Sequence, residues 1–96
     1  MKPLLQNFAC AILTVAAIGC SNPSTPEYRE GYAFGERQGV RGYERNDYSP
    51  SKATEFAASL GRKTSGREGC PYQRGTPEYG DYMAGVKAGY NSGYEN

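Results

Sequence analysis

The chain has 96 residues, including 13 Gly and nine Tyr, with 11 Lys and Arg set against 10 Asp and Glu. That length holds one domain at most and leaves no room for a large enclosed active site. With no His and no Trp, imidazole catalysis and the commonest metal ligand are both excluded, and a net charge of +1 argues against a nucleic-acid binder.

The chain opens on Met1 and Lys2, and Leu4 to Ile18 is mostly apolar, interrupted by Gln6, Asn7 and Thr14. This is the length of a signal-peptide apolar region and short for a bilayer span. The segment closes on Ala17-Ile18-Gly19-Cys20, which resembles the lipobox of bacterial lipoproteins. The resemblance implies that residues 1–19 are removed as a signal peptide and that the Cys20 sulfur carries a diacylglyceryl group. Membrane lipid is then a partner through Cys20, each buried methylene adding about 0.8 kcal/mol. Ser21 after the Cys implies the outer-membrane sorting class, hence an envelope protein facing the periplasm. Ala17 stands where Leu is more usual, and Ala17 with Gly19 also fits an ordinary signal-peptidase site. The other reading is an amphipathic or buried N-terminal helix. Against it, Ser21 to Pro26 follows as a polar, Pro-punctuated stretch, so residues 20–25 are taken as a lipidated tether and 26–96 as the folded domain. From Cys20 onward ten Lys and Arg face ten Asp and Glu, since Lys2 belongs to the leader.

Within the domain, Thr25-Pro26-Glu27-Tyr28 returns as Thr76-Pro77-Glu78-Tyr79, and each copy runs into a Gly and Tyr series. A Thr cap, Pro at the first helical position and Glu in the first turn predict helix starts at both places, with helices over about 26–44 and 77–92. Ser49-Pro50 begins another, in which Ala53, Phe56, Ala57 and Leu60 form one apolar stripe and which ends near Gly61 to Thr64. Ser65 to Gly75 reads as a loop, and Tyr79, Tyr82, Met83, Val86 and Tyr90 make the stripe of the last helix. The expected fold is all-α, a small domain of about three helices with two similar halves, 26–48 and 53–94.

Each Gly inside a helix costs about 1 kcal/mol relative to Ala, so close packing must offset several of them. Gly31, Gly35 and Gly39 share one face, where a neighbouring backbone can approach. Packing within the monomer is the expected use, self-association through the Gly faces the other. Charges on every turn remove a transmembrane reading of this spacing.

Gly61-Arg62, Cys70-Pro71-Tyr72-Gln73 and Tyr82-Met83-Ala84-Gly85-Val86-Lys87 together resemble the ribosome modulation factor family, over about residues 53–90. A weaker copy runs through Gly35, Gly39, Asn46-Asp47-Tyr48 and Phe56-Ala57-Ala58. The resemblance implies a two-helix fold and, for the founding protein, ribosomal RNA binding that promotes ribosome dimerisation. The loop from Arg62 to Cys70 is longer than the family's, the mature chain lacks the founder's positive charge, and an exported protein meets no ribosome.

Cys70 is the thiol that remains after lipidation of Cys20 and lacks a His to act as its base. It reads as a small hydrophobe packed beside Tyr72, with an intermolecular disulfide as the other option. Glu27, Glu30, Glu78 and Asp81 sit in first turns, where the helix dipole accounts for them. Arg62, Lys63, Arg67 and Arg74, against Glu68, form a basic stretch that is either a solvated loop or, with Tyr72, a site for RNA, phosphate or an anionic head group. The Tyr residues suit base stacking, but their helical spacing beside Gly favours packing. The sequence thus reads as a small, lipid-anchored, non-catalytic envelope or interaction module with an unknown protein partner. The alternative is a ribosome-modulation-factor-like RNA binder. No catalytic residue, metal, cofactor or small-molecule substrate is expected.

Overall fold

The computed structural model describes residues 24–95, so the leader, Cys20 and most of the tether lie outside the described residues. Three helices make up the domain: α1 (Pro26–Arg45), α2 (Pro50–Thr64) and α3 (Pro77–Glu95), with no strand among the described residues. The all-α reading holds, and both long helices extend beyond their expected ends, α3 by three residues past 92.

The repeated Thr-Pro-Glu-Tyr segments start α1 and α3 by the same local chemistry. The Thr25 hydroxyl accepts from the Tyr28 N–H at 3.2 Å, and Thr76 accepts from Tyr79 at the same distance. Asn46 and Ser65, with φ of 56° and 58°, end α1 and α2 in the left-handed conformation, and their N–H groups turn back onto helix carbonyls. Ser49 does not cap α2 with its side chain; its hydroxyl bonds the Asp47 carboxylate at 2.8 Å instead.

α1 and α3 run parallel and touch backbone to backbone. A Cβ built on Gly31, Gly35 or Gly39 would lie 1.9, 2.0 or 2.2 Å from the carbonyl oxygen of Tyr82, Val86 or Tyr90. The reverse also holds: Gly85, Gly89 and Gly93 meet the carbonyls of Tyr28, Tyr32 and Glu36 at 2.1, 2.1 and 2.2 Å. Each glycine of one helix therefore accommodates a carbonyl of the other, in a geometry suited to Cα–H···O contacts that offset the lost helix propensity. Gly31, Gly35, Gly39, Gly85, Gly89 and Gly93 thus pack within the monomer. This register is three residues out of step with the Thr-Pro-Glu-Tyr echo, because Gly31 follows Thr25 by six positions and Gly85 follows Thr76 by nine.

α2 returns antiparallel to both. At its start the Tyr90 hydroxyl donates to the Asp47 carbonyl at 2.7 Å and accepts from the Ser49 N–H at 2.9 Å. At its end Gly61 lies against Cys70. The core comprises Phe34, Ala53, Ala57, Cys70, Tyr82, Val86 and Tyr90. Phe56 departs from the expected stripe: it is 44 % exposed, while Ala58, off the stripe, is buried. Most Tyr residues pack on one another, as their spacing suggested. Tyr48 meets Tyr94 edge-on at 5.0 Å between ring centroids and donates to the Asn91 side-chain oxygen.

Candidate functional site

Because α2 is antiparallel, the 65–75 loop lies at the end of the bundle where α1 and α3 begin. Two contacts hold its Cys70 end against α2. The Cys70 N–H donates to the Ala57 carbonyl at 3.0 Å, and the absent side chain of Gly61 admits the Cys70 carbonyl, which a methyl would meet at 2.1 Å. Thr64 closes the turn by accepting from the Glu68 N–H at 2.9 Å. Cys70 is buried beside Tyr72, as the sequence suggested. Burial pushes its thiol above the ordinary range, with the charge of Glu30 adding to the effect. A thiol held in its neutral form is a weak nucleophile.

Tyr72 bridges the loop to α1. Its hydroxyl donates to Glu30 Oε1 at 2.6 Å, and its ring meets Tyr82 at 6.1 Å. The Glu30 hydrogen bond, with burial and nearby negative charge, raises the Tyr72 phenol far above its usual range. Tyr82 is pushed up to about 12, chiefly by burial.

The five residues read from sequence as an RNA or anion site border more than one hollow. Arg62, Arg74 and Tyr72 line a cleft of about 390 Å³ together with Cys70, Pro71 and Tyr79, and the Arg74 guanidinium lies over the Tyr79 ring at 5.9 Å. Arg67 lines a different groove, and Lys63 lines neither. Tyr72 has its ring tilted against Tyr82 and its hydroxyl on Glu30.

The groove that takes Arg67 runs between α1 and α2. It has a volume of about 620 Å³ and is walled by Phe34, Arg37, Gln38, Arg41, Phe56 and Leu60, among others. A second hollow of about 220 Å³ continues it through Gln38, Arg41 and Phe56 to Arg45, Lys52 and Tyr90. The Phe34 and Phe56 rings, 5.9 Å apart, form the floor of the larger groove, and the Arg37 guanidinium lies 5.9 Å from the Phe34 centroid. Sequence reasoning missed this surface. The available signal was Arg37, Arg41 and Arg45, four residues apart on one face of α1, three positions beyond Phe34 and onward.

Among the described residues no group of His, Cys, Asp and Glu is arranged to hold a metal ion, and no helix is long and apolar enough to cross a membrane. Glycine-packed parallel helices with a shorter antiparallel helix across them define the class, a small all-α domain with open grooves. Comparison with protein-family models, curated proteins and solved structures gives no match to this chain.

Proposed function

We propose that the chain is a non-catalytic interaction module of the bacterial envelope, anchored by lipid on Cys20 and presenting its helical domain to a partner. The observation that carries the reading is the sequence Ala17-Ile18-Gly19-Cys20 placed five residues ahead of Thr25, the cap that opens the first helix. In sequence the anchor is separated from the first helix by a short polar tether, and that helix begins at the end of the bundle that also bears the 65–75 loop. The neutral, buried thiol of Cys70 and the open form of the grooves support binding over catalysis.

The test is intact mass and membrane fractionation of the full chain expressed in a bacterium, wild type against Cys20→Ala. The expected result is loss of residues 1–19, a gain of lipid mass and recovery with membranes for the wild type alone. A full-length, unmodified chain in the soluble fraction overturns the reading and makes ribosome co-sedimentation the next experiment.

A further inference from the structure

We infer that the α1–α2 groove is the docking site for an acidic, partly apolar segment of a protein partner. The inference rests on the interaction-module reading and gives that partner a chemistry.

Charge argues for an acidic occupant. Arg37, Arg41, Arg45 and Arg67 are all exposed along the groove. Among the described residues the one ion pair is Lys52 with Asp47, at 3.8 Å, so none of the four guanidiniums is paired with a described carboxylate. The carboxylates on the groove walls are Glu30, Asp47 and Glu68. Glu30 accepts from Tyr72, and Asp47 is taken by Lys52 and Ser49. The two hollows together thus set Arg37, Arg41, Arg45, Arg67 and Lys52 against Glu30, Asp47 and Glu68, and the cationic excess lies along Arg37 to Arg45, a row of planar donors suited to carboxylates.

The floor argues for apolar side chains between those carboxylates. Phe56 leaves 44 % of its surface exposed beside buried Phe34, although it belongs to an apolar stripe that otherwise faces the core. From Glu30 to Arg45 the wall is about 22 Å long at 1.5 Å per residue, the span of a helix of about 15 residues. Residues 1–23 contain no Asp or Glu, so that segment does not have the chemistry of this occupant.

The test uses the purified full chain in mild detergent and a fluorescent synthetic helix of about 15 residues carrying Glu every fourth position beside a Leu stripe. Binding is read by anisotropy for wild type, Arg37→Gln/Arg41→Gln, and Arg62→Gln/Lys63→Gln, the last removing the same charge outside the groove. The expected result is a loss of about tenfold or more for the groove pair and less than about twofold for the control pair. Arg41→Glu should lose the Glu peptide and gain a Lys-bearing counterpart, a swap that a misfolded variant does not produce. Equal losses from both pairs, or equal binding of a peptide with Gln in place of Glu, overturn the proposal. So does single-stranded RNA that displaces the peptide and loses affinity in the groove variant, or sedimentation showing a dimer that the groove variant dissociates. Peptide binding in solution and lipidation in the cell are separate readouts, so the failure of one is distinguishable from the failure of the other.

Discussion

The carbonyl oxygen of Val86 lies 2.0 Å from where a methyl group on Gly35 would stand, and Val86 is itself fully buried. The two helices meet at a distance that only a missing side chain permits, at the centre of a core with little aliphatic bulk. Gly35→Ala gains helix propensity but forces two backbones apart, and the second effect wins because a rigid carbonyl has no rotamer through which to yield. A loss of about 2 kcal/mol or more is expected, measured by urea denaturation. Gly80→Ala is the matched control: its Cβ would meet nothing within 4 Å, so about 0.5–1 kcal/mol of stabilisation is expected.

Tyr90 joins the far end of the bundle by serving two backbone groups at once, the Asp47 carbonyl at 2.7 Å and the Ser49 N–H at 2.9 Å. Tyr90→Phe keeps the ring and strands both partners. The expected cost is about 1–3 kcal/mol, with faster amide exchange at Ser49 as the local signature.

Gly61 controls access to Cys70. In the native wild type the Cys70 thiol should resist alkylation, followed by mass mapping of its peptide, and should label readily in denaturant, since burial keeps it neutral. Gly61→Ala pushes on the Cys70 carbonyl at 2.1 Å and should make the native thiol reactive. Unchanged protection in that variant would show that the loop is held in some other way.

Stability should fall in alkali. The Tyr72 and Tyr82 phenols are both raised above their ordinary value of 10, Tyr82 to about 12, so the folded state binds protons that the unfolded chain has begun to release. Their contribution is fully present below pH 10; that of Tyr82 is lost as pH rises from 10 through 12, and that of Tyr72 declines over a range that begins at the same point and reaches higher. Thermal melts across that window, with tyrosinate absorbance, check this. Tyr72→Phe should soften the decline by removing one of the two phenols.

The helices themselves were legible from local chemistry. A Thr cap, Pro at the first position and an acidic first turn are short-range signals, so both Thr-Pro-Glu-Tyr segments marked helix starts before any packing was considered. The Gly31, Gly35 and Gly39 spacing likewise determines that these residues share a face, whatever that face meets. Which surface fills it is a tertiary matter. The parallel pairing of α1 with α3, and its three-residue offset from the sequence echo, depend on how carbonyls of one helix fit the gaps of the other, a relation between positions more than fifty residues apart. The basic residues divide for the same reason. Arg62 and Arg67 are close in sequence, but the docking of Cys70 on Gly61 turns the loop so that they border different hollows. Arg37, Arg41 and Arg45 were visible as a row on α1, but only the return of α2, with Phe56 left partly uncovered beside Phe34, gave that row an apolar floor and made it one wall of a groove. Spacing along a helix sets which side chains stand together; the long-range backbone contacts set what they face.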